Sequence, residues 1–528
     1  MMHRATLLIA AASLATLPLA AQQTVAERTG AANTSTHADV IAFIDSLEAR
    51  GARLHVGVLG TSPQGREIQW LVASRPLVTT PGEARRSGKP VFYIQANIHG
   101  GEVEGKEAMQ RLLRDLTIGD LQPLLDSVII LAVPVYNTDG NDNLGPAARH
   151  RPGQNGPDPV GLRPNGQGFD LNRDYIKQEA PETRASLALI AEWDPDVFMD
   201  LHTSNGSYHG YALTWSPGLS PIRTPVNSWV QDTALPAIGK RIMARHGFRT
   251  FPYGNFANQD PDSIGNLGWL TYESVPRFGT NLMGISRVSL LSEAYSNDPF
   301  ARRIDVTWAF VLESIRWFNE QHAAMQDRIE RTIALRPDSV PVRSTFAPPR
   351  RDTVIFEVTS SAGQGSGGYA RRQRSGEFRT QVMPVVDRFV PTRKEVRPAA
   401  YLLDAQWSEV VERMVRQGIA VERIDVPWTG QSSRFRIDSI AVLRPFEGHR
   451  AVRVDGNWEV PAADSLPAGG YLISTDQRLG TLAAFLLEPA SEDGYTNWNF
   501  FDRALRTRGF HPVRKVAELP AVPRTRVR

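Results

Sequence analysis

A histidine and a glutamate lie three residues apart in IQANIHGGEVEGKEA, the stretch at residues 94–108. His99 follows an apolar run of the kind found in buried strands, and Glu102 begins a segment with helical spacing. If the two glycines between them form a tight turn, both side chains can bind one metal ion. The same pattern also fits an ordinary glycine-rich turn that carries polar residues. Because the chain has no cysteine, a zinc ion would need His, Asp or Glu ligands.

A second histidine follows an apolar run in the same way. His202 ends the short apolar segment in FMDLHTSNG. A catalytic zinc site takes three protein ligands and keeps one open position, and two histidines with one glutamate meet that need. Polar residues of open α/β sheets gather where strands end, so the sequence favours His99, Glu102 and His202 as one set. Polar residues that only cap two strands are the alternative interpretation at this point.

The segments that must position these residues alternate between strand and helix. VFYIQANIH and SVIILAVPVYN, at residues 91–99 and 127–137, are apolar runs typical of strands buried on both faces of a sheet. A segment with helical spacing separates them, and another helix is expected to begin at Pro181. A short strand at residues 196–202 then leads to His202. The pattern predicts an α/β domain with a mixed, mostly parallel sheet flanked by helices.

Later segments continue the alternation of strand and helix, and a proline-rich stretch then interrupts it. RVSLLSEAY, at residues 287–295, is a predicted strand, and a long helix with one apolar stripe follows it. The proline-rich stretch at residues 338–352 is expected to be a linker. Beyond it, the sequence predicts a smaller α+β domain at residues 353–528, in which Gly418 ends a helix between two strands.

Composition and the chain start limit the functional classes. The 528 residues carry a formal net charge of +3, which is small for this length and gives no indication of nucleic-acid binding. The start, MMHRATLLIAAASLATLPLAAQ, has the pattern of a secretory signal peptide, expected at residues 1–21. Later apolar segments are shorter than the ~20 residues that a membrane-spanning helix needs. We therefore expect an exported protein, periplasmic or secreted, with no transmembrane helix in the mature chain.

Further motifs connect these observations to a known family. They stand in the order YNTDG at residues 136–140, FDLNRDY at residues 169–175 and SLLSEAYS at residues 289–296. Together with the His99 to Glu102 turn and His202, they resemble the zinc carboxypeptidase family, the carboxypeptidase A-like metallocarboxypeptidases or funnelins. The resemblance covers residues 36–336. It implies a carboxypeptidase-like catalytic domain at residues 22–337 that binds one Zn²⁺ ion.

The resemblance also implies roles for the matching residues. The zinc ligands that it implies are His99, Glu102 and His202. Glu293 matches the general base that takes a proton from water and passes it to the leaving amine. Asn172 and Arg173 match the pair that binds the terminal carboxylate of the substrate, a task for which the planar guanidinium is suited.

Two further matches come from less regular segments. Arg163 matches the arginine that stabilises the oxyanion, and Arg149 and Arg151 are alternatives because the loop departs from the family's longer pattern. Tyr272, which lies 21 residues before Glu293, matches the mobile tyrosine that closes over bound substrate. A tyrosine of the core is the alternative interpretation.

Specificity is expected to depend on the segment after Tyr272. Arg277 is a hypothesis for a residue that favours an acidic leaving residue, such as those of bacterial wall peptides. A surface arginine after Pro276 is the alternative. Glu104 and Glu107 are expected to be helix-start and surface charges rather than metal ligands.

The function implied is that of a zinc-dependent metallocarboxypeptidase acting on peptides with a free C-terminal carboxylate. One alternative is an amidase or deacylase that uses the same site on peptidoglycan peptides or N-acyl amino acids. Another is a catalytically inactive relative that binds such molecules. The presence of Glu293 and of all three ligands counts against the inactive relative.

Overall fold

The computed structural model describes residues 23–259, 264, 268–361, 372–505 and 509–527. The predicted signal peptide at residues 1–21 lies outside the described residues. Over the described ranges, no helix combines the length and the apolar character needed to cross a membrane.

Strands of the first part of the chain build a central mixed sheet. In chain order they are β1 (His55–Thr61), β2 (Glu67–Ala73), β3 (Val91–Ala96), β4 (Ile129–Val133), β5 (Val197–Thr203), β6 (Leu213–Pro217), β7 (Thr250–Pro252), β8 (Asn255–Phe256), β9 (Trp269–Leu270) and β10 (Val288–Ala294). Among the described residues, eight of them form the central sheet, in the spatial order β1, β2, β4, β3, β5, β10, β6, β7. The strands β8 and β9 pair with each other elsewhere.

The middle of the sheet is parallel and fully buried. β4, β3, β5 and β10 run in the same direction, whereas β1, β2 and β6 are joined to it by antiparallel pairings. Every residue of the four parallel strands is buried. Along β3, Phe92 and Ile94 lie in one apolar core and Val91 and Tyr93 in another, so both faces are covered. The predicted α/β class with a mixed sheet is confirmed.

Helices of this part alternate with the strands. They are α1 (Val25–Arg28), α2 (His37–Glu48), α3 (Pro81–Ser87), α4 (Glu104–Thr117), α5 (Thr138–Asp142), α6 (Ala147–His150), α7 (Pro181–Trp193), α8 (Pro225–Trp229), α9 (Leu235–His246), α10 (Gly279–Met283), α11 (Phe300–Glu320) and α12 (His322–Ile333). Pro181 occupies the first turn of α7, as predicted. The apolar stripe of α11 places Leu312, Ile315 and Phe318 in the core.

The C-terminal region, defined here as residues 338–527, is rich in antiparallel strands. They are β11 (Ser339–Phe346), β12 (Arg350–Ser361), β13 (Arg372–Val386), β14 (Phe389–Val396), β15 (Ala400–Leu403), β16 (Glu422–Ile424), β17 (Trp428–Val442), β18 (Val452–Trp458), β19 (Ala462–Leu466), β20 (Tyr471–Ser474), β21 (Phe510–Val516) and β22 (Arg524–Arg526). Its helices are α13 (Ser408–Arg416), α14 (Gly480–Leu487) and α15 (Asp502–Leu505). As predicted, α13 lies between two strands and is followed by Gly418 in the left-handed conformation.

The expected linker at residues 338–352 is wrong for most of its length. Ser339–Phe346 is a strand that pairs with Phe389–Val396, and Arg350–Ser361 is another strand. The reason is burial, because Val340, Pro341 and Val342 are all buried while the remaining residues of the strand are more exposed. The prolines of this stretch indicated a linker, but Pro341 is accommodated in a two-stranded sheet.

The C-terminal region also shares a core with the first part of the chain. One apolar cluster contains Tyr175 and Leu187 from the first part together with Tyr401, Val410 and Trp498 from the C-terminal region. In addition, β13 pairs in parallel with β9, which joins the hairpin of β12 and β13 to β8 and β9. The two parts therefore share an apolar core and a sheet, and they are not separate domains joined by a linker.

Candidate active site

Three neighbouring strands carry the predicted site residues to one edge of the sheet. His99 follows the end of β3, and His202 lies near the end of β5. Glu293 lies near the end of β10 and is directly paired with His202 in the parallel register. Because parallel strands end at the same edge, residues far apart in sequence meet there.

His99, Glu102 and His202 form a compact set of metal donors. One donor atom of each lies within 4.8 Å of the other two. His99 Nδ1 is 3.0 Å from Glu102 Oε1, His202 Nδ1 is 3.0 Å from Glu102 Oε2, and the two Nδ1 atoms are 3.3 Å apart. All three side chains are buried. Two imidazole nitrogens and one carboxylate are the donors of an open, catalytic zinc site, so this set fits zinc.

Two aspartates orient the histidines from behind. Asp170 Oδ1 lies 3.0 Å from His99 Nε2, and Asp200 Oδ2 lies 3.0 Å from His202 Nε2. A carboxylate on the outer nitrogen fixes the tautomer and leaves Nδ1 free to coordinate a metal. Burial opposes a charge on His202, but Asp200 and Glu102 outweigh it and raise its pKa well above the ordinary value. Burial likewise opposes ionisation of Asp170, yet His99 and Arg163 hold its pKa well below its usual range.

The turn between His99 and Glu102 is closely packed against a loop. A Cβ on Gly100 would lie 2.2 Å from the carbonyl carbon of Gly140, and a Cβ on Gly101 would lie 2.7 Å from the carbonyl oxygen of Gly161. Asn97, which has a positive φ of 61°, donates its side-chain amide to the carbonyls of His99, Gly100 and Glu102. The glycines are thus required by a close approach of backbone, and Asn97 stabilises the turn.

The loop that precedes the FDLNRDY motif places two arginines beside Glu102. Arg151 Nη1 lies 2.9 Å from Glu102 Oε1, and Arg163 Nη1 lies 3.3 Å from the same oxygen. Arg163 also donates two hydrogen bonds to Asp170 Oδ2. Burial opposes ionisation of Glu102, but His99 and Arg151 reverse this and hold its pKa well below its usual range. The third alternative, Arg149, is exposed on the short helix α6.

Glu293 is a buried carboxylate near the metal donors. Its Oε2 atom has no hydrogen-bond partner among the described residues. Burial raises the pKa of Glu293 to about 8, with His202 opposing the shift and Glu102 adding to it. A buried carboxylate with an unpaired oxygen is costly, and such a group is a candidate for proton transfer.

Asn172 and Arg173 lie on the short helix that follows Asp170. Asn172 accepts a hydrogen bond from the backbone of Gly279 at 3.1 Å. The Arg173 guanidinium lies 4.2 Å from the centre of the Phe278 ring and donates to the carbonyl of Asn172 at 2.8 Å. Among the described residues Arg173 has no carboxylate within ion-pair distance, and burial lowers its pKa, with Asp170 opposing the shift. It is therefore a partly desolvated cation that an anionic ligand could neutralise.

Tyr272 lies in a group of aromatic rings. Its hydroxyl donates to Asn281 Oδ1 at 3.0 Å, and its ring makes edge-on contacts with Tyr253 and Phe278. Burial is the main cause that raises its pKa.

These side chains surround one cavity of about 240 Å³. Its wall includes the candidate metal donors, the Asn172 and Arg173 pair and members of the aromatic group; the lining residues include His99, Glu102, Arg163, Asn172, Arg173, His202, Tyr253, Tyr272, Glu273, Phe278 and Glu293. The cavity therefore combines metal donors, a free carboxylate oxygen and a cation.

Sequence comparison agrees with this arrangement. The profile of the family described as zinc carboxypeptidase matches residues 40–259, a range that contains the three metal donors. Carboxypeptidase 2 from Trichophyton equinum is 25% identical over 460 residues, which cover 83% of this chain and 78% of that protein. Carboxypeptidase M from Mus musculus is 29% identical over 189 residues, which cover 33% of this chain and 38% of that protein.

Residues 40–259 match the zinc carboxypeptidase family. The chain is a metallopeptidase, a hydrolase, as this domain and the carboxypeptidase relatives show. A solved structure of a metallo-carboxypeptidase from Burkholderia cenocepacia is 18% identical, with 55% of this chain and 70% of that chain covered and a TM-score of 0.41.

Arg277 is not among the residues that line this cavity. Its guanidinium pairs with Asp493 at 3.1 Å and with Glu273, and it lies near the Phe446 ring. With two carboxylates already bound, Arg277 is not placed to receive an acidic leaving residue. This position does not favour the specificity hypothesis drawn from the sequence.

The expectation that Glu104 and Glu107 are surface charges is wrong. Both lie in the first turn of α4, as expected, but both are buried. Glu107 accepts hydrogen bonds from the backbone and hydroxyl of Ser35 at 2.6 and 3.1 Å. Glu104 accepts one from Thr203 and faces Arg303 at 3.5 Å. The acidic helix start carries long-range contacts that helical periodicity does not reveal.

Several residues of this candidate site were not predicted from the sequence. Asp170 stands inside the quoted motif FDLNRDY, and its place before Asn172 was a usable signal. Asp200 lies two residues before His202, which puts both on the same side of β5. Asn97 and Tyr253 offered no local signal, because their roles come from contacts made in the folded chain.

Proposed function

We propose that this chain is a zinc-dependent carboxypeptidase that hydrolyses the C-terminal peptide bond of peptides. The composition of the single cavity described above is the main support. Its wall holds a metal donor set, a glutamate with an unpaired oxygen and an arginine without a carboxylate partner among the described residues. These features meet three needs of the reaction: activation of the carbonyl, proton transfer, and recognition of a terminal carboxylate.

In this proposal His99, Glu102 and His202 hold one zinc ion. Zinc bound there would supply Lewis acidity, which lowers the pKa of water and polarises a carbonyl group. Asp170 and Asp200 keep both histidines in the orientation that presents Nδ1 to the donor set.

Glu293 is proposed as the general base and acid. It takes a proton from water as the water attacks the carbonyl carbon, and it returns that proton to the leaving amine. A pKa raised by burial suits a carboxylate that must accept and release a proton near neutral pH. Its position beside His202 in the register of β5 and β10 supports this role.

The two arginines are proposed to bind two different groups of the substrate, the carbonyl oxygen of the scissile bond and the terminal carboxylate. Arg163, which lines the cavity, stabilises the negative charge that develops on the carbonyl oxygen. Arg173 and Asn172 bind the terminal carboxylate, and Phe278 holds the guanidinium plane by stacking. Tyr272 lies at the same cavity and packs against the bound residue. The partner implied is a peptide with a free C-terminal carboxylate.

Zinc analysis and a peptide-release assay test the proposal. We expect one zinc ion per chain and release of the last residue from a peptide with a free carboxylate, but not from the same peptide with a C-terminal amide. In Glu293→Gln the amide cannot take up the proton, so kcat should fall by about 10²- to 10⁴-fold with zinc content unchanged. Full activity in this variant, or equal cleavage of the amidated peptide, would contradict the proposal.

Glu488→Gln is a matched control for Glu293→Gln. Glu488 is also a buried glutamate, but it lies in the C-terminal region, where Lys515 pairs with it at 2.6 Å. We expect this variant to be less stable while its kcat remains close to that of the wild type. A similar loss of kcat in both variants would indicate a general effect of removing a buried charge.

The sequence pattern at residues 1–21 supports a further proposal, that the protein is exported through a signal peptide. N-terminal sequencing of the protein recovered outside the cytoplasm should find a chain that starts near residue 22. Recovery there of a chain that starts at Met1 would argue against cleavage.

A further inference from the structure

The tyrosine segment, defined here as residues 271–277, forms one wall of the active-site cavity. Tyr272 and Glu273 line the cavity directly. In the resemblance drawn from the sequence, Tyr272 matches a mobile residue that closes over substrate. In this protein the C-terminal region contacts the segment at its start, its middle and its end.

The start of the segment continues a strand pairing. Trp269 and Leu270 pair in parallel with Val385 and Val386, and the backbone N–H of Thr271 donates to the carbonyl of Val386 at 2.9 Å. Trp269 is fully buried. The residue before Tyr272 is therefore fixed by a ladder that the C-terminal region provides.

The middle of the segment is held by a side-chain relay. The hydroxyl of Ser274 lies 3.1 Å from that of Ser344. Ser344 in turn donates to Glu492 at 2.8 Å. Ser344 and Glu492 both belong to the C-terminal region.

The end of the segment is bound by a buried aspartate. Asp493 accepts a hydrogen bond from the backbone of Arg277 at 2.7 Å and one from its guanidinium at 3.1 Å. Trp498 donates to the same carboxylate at 3.0 Å. Asp493 is completely buried, so these are charge-assisted bonds in a poorly solvated place. Through its second ion pair, Arg277 also positions Glu273 at the cavity wall.

We propose that the C-terminal region fixes the tyrosine segment in place for substrate binding, with Asp493 as a positioning residue. The inference rests on the proposed function, since it assigns the segment a part in binding a peptide. A wall that is already ordered costs less conformational entropy when substrate binds, so its loss weakens binding. Glu293, the proposed proton carrier, lies on β10 and is not among the hydrogen-bond partners of Asp493, which are Arg277 and Trp498.

Two variants and one matched control test the inference in the full-length zinc enzyme. Asp493→Asn removes the charge of the pair with Arg277, and Ser344→Ala removes the relay in the middle. Asp404→Asn is the control, because Asp404 pairs with Arg514 at 3.1 Å within the C-terminal region. We expect KM to rise about tenfold in Asp493→Asn and about threefold in Ser344→Ala, with kcat and zinc content close to wild type. The control should keep the wild-type KM, and Asp493→Glu should recover part of the loss.

Hydrogen exchange of a peptide that spans residues 268–278 provides a readout that does not depend on activity. We expect faster exchange in Asp493→Asn and Ser344→Ala than in the wild type and in Asp404→Asn. Unchanged exchange and unchanged KM in folded Asp493→Asn, or an equal rise of KM in the control, would overturn the inference. If Asp493→Asn does not fold, the result for Ser344→Ala decides. A wild type that cleaves no peptide would count against the proposed function alone, because the exchange result still tests the fixation.

Discussion

The central sheet and the C-terminal region each bury a glutamate, and the two glutamates have different surroundings. Glu293 lies near the end of the parallel strand β10, and its Oε2 atom lacks a hydrogen-bond partner among the described residues. Glu488 lies in the C-terminal region and is met by Lys515 at 2.6 Å, by the hydroxyl of Tyr401 at 2.5 Å and by the indole of Trp458 at 2.9 Å. The Glu293 carboxylate can therefore still bind a proton or a ligand, whereas the Glu488 carboxylate already has its ionic and hydrogen-bond partners within the protein.

Sheet architecture explains this difference. Parallel strands end together, so β3, β5 and β10 bring His99, His202 and Glu293 to one opening. In the C-terminal region the antiparallel strand Phe389–Val396 instead alternates exposed and less exposed residues. Its contacts around the site come from strands β11 and β13, through Ser344 and Val386, and from loops. One loop residue, Glu447, accepts a hydrogen bond from the backbone of Asp170 at 3.3 Å. The first region supplies the reactive groups and the cavity wall, and the C-terminal region packs behind that wall.

The sharpest test of this division compares two buried histidines. We expect His202→Ala to lose bound zinc and all peptide release, because one of three donors is removed. His511, in the C-terminal region, is also buried and contacts Thr496 at 3.0 Å. His511→Ala should keep one zinc ion per chain and lose stability by about 1–3 kcal/mol. Metal analysis of the purified variants and urea unfolding measure both outcomes, and zinc loss in His511→Ala would break the comparison.

A smaller effect is expected from two arginines that stack on phenylalanine. Arg173 lies 4.2 Å from the Phe278 ring at the cavity, whereas Arg413 of the C-terminal region lies 4.1 Å from the Phe500 ring. In Arg173→Lys the loss of a charge-assisted, forked contact to the substrate carboxylate should lower kcat/KM by about 10- to 100-fold. Arg413→Lys should change kcat/KM by less than about twofold. Steady-state kinetics on one peptide measures both variants. Equal losses of kcat/KM in the two variants would show that stacking on phenylalanine, and not contact with the substrate, causes the loss.

The smallest effect is expected where the two regions touch at the surface. His449 of the C-terminal region lies 2.9 Å from Glu179. This hydrogen bond raises the pKa of His449 above its ordinary 6.5, with burial and Lys177 opposing the shift. Burial opposes ionisation of Glu179, but His449 lowers the pKa of that carboxyl below 4.5.

The sign of the pH dependence follows from these directions. Because the folded-state pKa of His449 is raised, the pair stabilises the fold fully below pH 6.5 and loses this contribution as pH rises through the raised value. Glu179 is still ionised at pH 5.5. We therefore expect His449→Gln to lower the free energy of unfolding by up to about 1 kcal/mol at pH 5.5 and by less at pH 9. Urea unfolding at both pH values tests this, and an equal loss at both would exclude a charge effect.

Local patterns in the sequence predicted much of the first region. Continuous apolar runs marked β3, β4 and β5, Pro181 marked the start of α7, and the order of the motifs indicated the family. The same kind of pattern failed at Pro341, where prolines indicated a linker although Val340, Pro341 and Val342 are buried in a strand. It also failed at Glu107, where an acidic helix start indicated solvent exposure but Ser35 covers the carboxylate.

Other features of the site have no local signal at all. The choice among Arg149, Arg151 and Arg163 stayed open in the sequence, since all three lie in one irregular loop. In the structure Arg151 and Arg163 reach Glu102, and Arg149 is exposed. Which of the two serves the oxyanion remains a prediction.

The sequence by itself determined where the parallel strands end, and with that the candidate metal ligands His99, Glu102 and His202, whose role stays a prediction. This was possible because strand runs and tight turns depend on residues within a few positions of each other. Only the tertiary structure decided that both histidines present Nδ1 and that Asp493 holds the tyrosine segment. Arg277 and Asp493 are 216 residues apart in the chain, and contacts at such separations depend on how whole sheets pack.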